Sequence, residues 1–319
     1  MISDKRKIFI NLIQEACNEV DFKLSSFSQD WIMMIESPQA IGYIFGYNFS
    51  LNLDASAKIC NDKSATYEIL KHHRIQAVQH HLFTLYPEYN ESSGNWQSIM
   101  NLFRQYQNKV VLKPNEGTGG NGVFVASSLF ELESIVHKQF KNRSSFCISP
   151  YIQIKDEYRV VILNGKPELV YKKNIPELVG NGESNILELL GKIYDTIPTK
   201  VFEHLNDNEI SFNYIPSIGE TIKLGWKHNL SRGASVDLNI QEALKNDLEN
   251  LAVLAAQKIG VRFASIDIIS SSDRELSIIE INSGVMLINF ASSGPKEYEI
   301  AKSIYTKAIQ FLMNSNNFA

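Results

Sequence analysis

The sequence predicts an α+β fold, and three observations carry that prediction. The glycine-rich stretch KPNEGTGGNGVFV (113–125) follows the apolar run VVL and continues into a β-branched run, so it reads as strand, loop, strand. The segment EYRVVILNGKPELVYKK (157–173) is a hairpin, because Asn164–Gly165 is the two-residue loop that a type I′ turn favours. RFASIDIIS and ELSIIEIN, joined by the turn SSDR, form a late strand pair, while amphipathic helices occupy separate segments.

In chain order, residues 4–20 form a helix with Ile8, Leu12, Ile13 and Ala16 on one face. DWIMMIE and AIGYIFGYNFSLN, separated by Ser37–Pro38, read as two strands. NDKSATYEILKHHRI is a helix capped by Asp62. The pairs His72–His73 and His80–His81 read as solvated histidines rather than metal ligands, since adjacent side chains on a helix point apart. Ser128 and Glu131 form a capping box opening a helix that carries Leu132, Ile135, Val136 and Phe140. The helix at 241–260 places Leu244, Leu248, Leu251 and Ala255 at core spacing and stops at Gly260.

Gly117, Gly119 and Gly122 fit the pattern G-x-G-x-x-G, but a dinucleotide turn delivers pyrophosphate to a helix N-terminus, and VFVAS follows here instead. A protein-kinase loop is also strand, loop, strand, yet HRD and DFG motifs are absent and the lysine, Lys113, lies upstream. A plain hairpin tip is the remaining alternative. In the NG hairpin, period two puts Glu157, Arg159 and Lys172 on one side and Tyr158, Val160 and Ile162 on the other.

The same periodicity sets Asp267 opposite to Ala264, Ile266 and Ile268, and sets Glu280 and Asn282 opposite to Ser277, Ile279 and Ile281. Carboxylates within apolar strands need compensation, and a bound cation supplies it. An all-oxygen set of Asp267, Glu280 and Asn282 suits magnesium; a pair of acids at a wet sheet edge is the alternative.

At 319 residues the chain has room for two or three sub-domains. A net charge of −4 and a pI near 6.0 carry no general nucleic-acid footprint, so no nucleic-acid partner is expected. The three cysteines are dispersed and read as buried small apolar groups. No run reaches the roughly 18 apolar residues of a membrane span, so no membrane partner is expected and the reading is cytoplasmic.

From about Asn61 onward the chain resembles the ATP-grasp superfamily, and in particular the ligase region of cyanophycin synthetases, ribosomal-protein glutamate ligases and bifunctional glutathione synthetases. Six ordered blocks carry the resemblance: NDKSATYEIL, VVLKPNEGTGGNGV, SPYI, LVGNGESNILELL with GETIKLGWKHNLSRGASVDL, FASIDII and IIEIN. It implies an ATP-grasp fold of two α+β subdomains, at 61–148 and 149–319, that clasp ATP behind a short N-terminal unit at 1–60.

The resemblance also implies the roles of single residues. Lys63 and Lys113 would contact ATP phosphates, and the loop with Gly119, Gly120 and Gly122 would cover them. The hinge with Ser149, Tyr151 and Ile152 would meet adenine, and Glu157 the ribose. Arg159, Lys172, Asn229 and Arg232 would surround the γ-phosphate and a substrate carboxylate, and Asp267, Glu280 and Asn282 would hold Mg2+, with Mn2+ as its substitute. The implied activity is joining a carboxylate, from an amino acid or peptide, to an amine through an acylphosphate. The rivals are a phosphotransferase and a nucleotide-binding module without turnover. A homodimer is the implied assembly. Three features depart from the family pattern: Ser149 stands where many relatives have an acid, NSGVMLINF replaces Asn-x-x-Pro-Gly, and the N-terminal unit is short.

Overall fold

The structure is a computed structural model that describes residues 4–84, 95–117, 120–142, 144–194, 197–225, 230, 234–271 and 275–315. Contact density divides the chain into two compact units, Met1–Lys172 with Leu238–Ala319, and Lys173–Asp237.

The first unit opens with helix α1 (Asp4–Glu19), which buries Phe9, Leu12, Ile13, Ala16 and Cys17. Phe9 takes the place expected for Ile8, which is half-buried, because positions 9, 12, 13 and 16 keep the helical stripe centred. An antiparallel meander follows: β1 (Lys23–Phe27), β2 (Ile32–Glu36), β3 (Ile41–Phe45) and β4 (Asn48–Phe49). The stretch read as one strand from Ala40 thus breaks in two, since Gly46 turns the chain with φ +61. Just beyond it, the side-chain amide of Asn52 accepts from the Arg262 and Phe263 N–H groups (2.8 and 2.9 Å) and donates to the Phe263 carbonyl (2.7 Å).

Helix α2 (Asp54–Asn61) was not apparent in the sequence; it runs directly into α3 (Lys63–His72), with Asp62 between them. Asp62 caps α3 as expected, accepting from the Ala65 N–H at 2.7 Å. Strand β5 (His81–Thr84), helix α4 (Trp96–Gln105), β6 (Val110–Lys113), β7 (Phe124–Ala126), α5 (Leu129–Asn142) and β8 (Ser145–Pro150) build a sheet in the order β5-β8-β6-β7. Its core gathers Phe83, Phe103, Leu112, Leu132, Val136 and Phe146. The capping box forms: the Glu131 N–H donates to Ser128 Oγ, and Glu131 Oε2 accepts from the Ser128 N–H, both at 3.2 Å.

Strands β9 (Ile154–Leu163) and β10 (Lys166–Asn174) form the expected hairpin, with Asn164 (φ 48) and Gly165 (φ 75) both left-handed, as a type I′ turn requires. The second unit contains β11 (Glu177–Val179), α6 (Ile186–Ile193), α7 (Thr199–Asp207), β12 (Thr221–Lys223) and β13 (Ser235–Asp237). It has its own apolar cluster around Leu178, Ile186, Leu190, Leu205 and Ile222. Gly180 is a close-approach position there, because a Cβ would run into the carbonyl oxygens of Ser217 and Pro216.

The chain returns to the first unit through α8 (Glu242–Ile259), ended by Gly260 in the left-handed region at φ 76, as expected. Then come β14 (Phe263–Ser271), β15 (Leu276–Asn282), the short α9 (Ile288–Ala291) and α10 (Pro295–Ser315), which packs on α1. Strand neighbours run β10-β9-β14-β15, antiparallel at the β9–β14 and β14–β15 pairs. The core face carries Tyr158, Val160, Ile162, Ala264, Ile266 and Ile268 against Leu248, Ala252 and Ala255 of α8.

One expected alternation fails. Asp267 pairs with Glu280 while its neighbour Ile268 pairs with Ile278, so Ile279 is the extra residue of a β-bulge. The buried partners in β15 are therefore Ile278 and Ile281, not the set Ser277, Ile279 and Ile281. A bulge swaps faces locally, which strict period-two reading cannot register.

Candidate active site

Three strands bring three of the expected residues into one row. In β9, β14 and β15 the cross-strand partners are Arg159, Asp267 and Glu280, and directly paired residues share a face. The Arg159 guanidinium donates through Nε to Asp267 Oδ1 and through Nη2 to Oδ2, both at 2.7 Å. This is the planar two-point fit of arginine to a carboxylate. Asp267 is buried, at 5% exposure. Burial alone would lower the Arg159 pKa, but Asp267 holds it well above its ordinary value. Asn282 lies two residues beyond Glu280 on the same strand face and pairs with Ser265.

The glycine loop reaches this row through Lys63, the first residue of α3. Its ammonium donates to the Gly117 carbonyl (2.9 Å) and lies 3.5 Å from Glu280 Oε1. Asn115 fixes that junction: its carbonyl accepts from the Lys63 N–H (3.2 Å), and its side-chain oxygen accepts from the Ser64 N–H (3.1 Å). At the far end of the loop, buried Gln139 donates to the Gly122 carbonyl at 2.7 Å. Gly120 (φ 66) and Gly122 (φ 74) are left-handed, so a side chain at either would strain the loop. Gly119 lies outside the described residues.

Lys113 closes β6 and is buried, paired across to Cys147 of β8. Burial lowers its pKa; Cys147 opposes that, Lys63 adds to it, and Glu280 and Glu157 oppose it more weakly. The Cys147 thiol is itself pushed up to about 11 by burial, and all three cysteines are free and buried. Lys63, Glu280 and Glu157 therefore all lie within electrostatic reach of Lys113.

The remaining expected residues are more scattered. Ser149 is buried in β8 opposite Val111. Tyr151 lies in the connection to β9, its ring 3.9 Å from the Lys109 ammonium, and Ile152 follows it half-buried. Lys172 is held by Asp156 at 2.6 Å. Asn229 and Arg232 lie outside the described residues, as does most of the SSDR turn.

The histidines divide. His72 and His73 are exposed as expected, but their rings touch edge to face at 5.1 Å, because His73 has already left the helix. His80 is not solvated: it is buried, and its Nε2 has no hydrogen-bond partner among the described residues. Burial first, then Lys113 and Lys63, hold its pKa well below the ordinary value, so the ring stays neutral. An unpaired buried acceptor costs about 1–3 kcal/mol. His81 is half-buried and bonded to the Tyr106 hydroxyl at 2.9 Å. Sequence reasoning missed Asn115, Gln139 and His80. Asn115 sits inside the quoted loop motif, where an amide beside a glycine run is a turn signal, whereas nothing local marks the other two.

No helix among the described residues is long and apolar enough to cross a membrane. Residues 82–189 match the ATP-grasp domain of prokaryotic glutathione synthetase, and residues 220–306 match the RimK-like ATP-grasp domain. The glutathione biosynthesis bifunctional protein of Listeria monocytogenes serotype 4b (strain F2365) is 25% identical over 218 residues, 61% of this chain and 28% of that protein. The cyanophycin synthetase of Trichormus variabilis is 25% identical over 194 residues, covering 54% of this chain and 21% of that protein. The chain thus spans under a third of the length of these curated relatives. The crystal structure of a bifunctional glutathione synthetase from Pasteurella multocida shares the fold, with a TM-score of 0.57 at 17% identity over 93% of this chain and 44% of that one.

Proposed function

The chain belongs to the ATP-grasp superfamily, and on that premise we propose that it is an ATP- and Mg2+-dependent ligase that joins a carboxylate to an amine through an acylphosphate. ADP and phosphate are the other products. The observation that carries the reading is the row Arg159–Asp267–Glu280, tied by Lys63 to the glycine loop. Cations and anions alternate there in a mostly buried place, which suits a highly charged ligand arriving with its own counter-ion.

The donor set fits magnesium. Asp267 and Glu280 face each other across paired strands, with the Asn282 amide on the same face, and all three present hard oxygen ligands. Asp267, Glu280 and Asn282 would hold the ion, which would supply charge neutralisation at the phosphate oxygens.

The protein's own residues position and exclude. Lys113 and Lys63 would bind the terminal phosphates, with Gly120, Gly122 and Gly119 covering them. Ser149, Tyr151 and Ile152 would receive adenine and Glu157 the ribose. Arg159, Lys172 and Arg232 would orient the substrate carboxylate and balance charge as the phosphoryl group passes to it and the amine then displaces phosphate. A loop closed over that centre would keep water from the acylphosphate. Amino acids or peptides are the proposed substrates, and a homodimer the proposed assembly.

The test is a phosphate-release screen with ATP, Mg2+ and amino acids singly and in pairs, followed by product mass. Dependence on two substrates with a condensed mass supports ligation. A stable phosphorylated product formed without an amine would replace it with phosphotransfer, and no turnover with any pair would leave a binding module.

A further inference from the structure

The meander of β1, β2 and β3 has one covered side and one open side. Met33, Ile35 and Ile44 are fully buried on the covered side, and a Cβ at Gly42 would strike the Leu312 side chain of α10. The register defines the open side, because directly paired residues share a face. Phe27, Ile32 and Phe45 form one row across the three strands, and Ser25, Met34 and Tyr43 form the next. Trp31, at the turn between β1 and β2, meets the Phe45 ring edge to face with 6.2 Å between centroids, so the patch is continuous. Its four aromatic side chains are between 46% and 59% exposed.

The patch is held in place from behind. Ser28, Gln29 and Asp30, between Phe27 and Trp31, all take left-handed backbone at φ 52, 55 and 62, which is unfavourable for residues other than glycine. Buried Arg6 fixes that turn: its guanidinium donates to the Gly46 carbonyl (2.8 Å) and to the Asp30 carbonyl, and lies 5.1 Å from the centre of the Trp31 ring. A surface already ordered in the free chain loses little freedom on association.

Area and charge identify what covers it. At roughly 200 Å² for a fully covered ring, four half-open rings present about 400 Å². A stable dimer buries about 800 Å² on each partner, a little over half of it apolar. The patch thus supplies most of the apolar surface that one such interface needs. The third row is Lys23, Glu36 and Ile41, with the Lys23 ammonium 3.4 Å from Glu36. These two charges are the only ones in the three rows, and they cancel, so the face does not repel its own copy. A two-fold axis along β2 lays β1 of each copy over β3 of the other. Small Ser25 then meets bulky Tyr43, and the Lys23 and Glu36 side chains of both copies gather at one end as two cations and two anions.

We propose that the open face of β1, β2 and β3 is the contact between two copies of this chain, packed sheet on sheet about a two-fold axis along β2. The inference rests on the homodimer reading above and gives it a surface. A face that pairs with itself closes at two copies and does not propagate.

The experiment is sedimentation equilibrium of the full chain, with circular dichroism to confirm that each variant folds. The wild type is expected to be a dimer at micromolar concentration. Tyr43→Ala and Phe45→Ala are each expected to weaken association about 30-fold, the size expected of a central aromatic anchor. Lys23→Glu gathers only anions at the axis and Glu36→Lys only cations, so each alone is expected to weaken association about 100-fold. Mixed one to one, these two charge variants are expected to pair with each other and recover the dimer. A dimer indifferent to all four substitutions, or charge variants that do not pair when mixed, would overturn the inference while the homodimer reading stands. A wild-type chain that stays monomeric overturns both and leaves the face to a different protein.

Discussion

Arg159 and Asp267, 108 residues apart in sequence, meet through two parallel hydrogen bonds of 2.7 Å inside the central sheet. Both side chains are mostly covered, at 20% and 7% exposure. The pair therefore makes Asp267 a structural as well as a chemical residue. Asp267→Ala leaves a covered guanidinium without its partner, and breaking such a pair costs about 3–5 kcal/mol, here nearer 3 because Arg159 keeps some solvent contact. Urea denaturation should show that loss together with abolished ATP turnover. Full stability in the variant would contradict the pair's structural part.

Glu280 is different, since it is 24% exposed and its partner Lys63 stands at 3.5 Å. Glu280→Gln should leave the denaturation midpoint nearly unchanged, as partly exposed ion pairs contribute little. Mn2+ affinity in the presence of ADP, read by electron paramagnetic resonance, should drop about 100-fold or more. Wild-type affinity would remove Glu280 from the metal assignment.

Lys113→Met keeps the stem packed in β6 and deletes the charge. A charge-assisted hydrogen bond to phosphate contributes about 1.5–3 kcal/mol, so ATP affinity should weaken on the order of 10- to 100-fold while adenosine affinity stays constant.

The chain should lose stability as acid is added from neutrality. The folded His80 has a pKa well below its ordinary 6.5, so below that value the unfolded chain binds a proton that the folded chain refuses. Stability is fully present above about pH 6.5 and falls as pH drops toward the folded value, by up to about 1.4 kcal/mol per pH unit. His80→Leu should flatten this part of the curve. An unchanged slope in that variant would assign the acid sensitivity to other groups.

Gly180→Ala should unfold the smaller unit locally. The Gly180 N–H donates to the Glu220 carbonyl (2.8 Å) and its carbonyl accepts from the Gly219 N–H (2.9 Å), so there is no slack for a methyl group against Ser217 and Pro216. Hydrogen exchange in residues 173–237 should accelerate, while exchange in β9 and β14 stays slow.

Much of this was legible in the sequence because it is local. The NG turn, the Asp62 cap, the Ser128–Glu131 box and the αL stop at Gly260 each follow from a few neighbouring residues, and all appear in the fold. The strand, loop, strand character of the glycine stretch was legible for the same reason. What escaped depends on distant partners. The bulge at Ile279 exists only relative to β14, and the burial of His80 only relative to β15 and β6. Phe9 displaced Ile8 because α10 determines which stripe of α1 is covered. Side-chain pattern reveals an element's own period, and packing against remote segments sets its phase.

The three contacts that the Asn52 side chain makes with Arg262 and Phe263 have an architectural consequence. One amide completes the backbone pairing at the entrance of β14, and α1 roofs α10, whose Ile304, Tyr305, Ala308, Ile309 and Leu312 are all covered. The first sixty residues are thus a keystone and not a detachable prefix. A truncated chain beginning near Asn61 would expose a greasy helix flank and unseat the very ribbon that bears Asp267, so it should be recovered as aggregate instead of as a smaller folded protein.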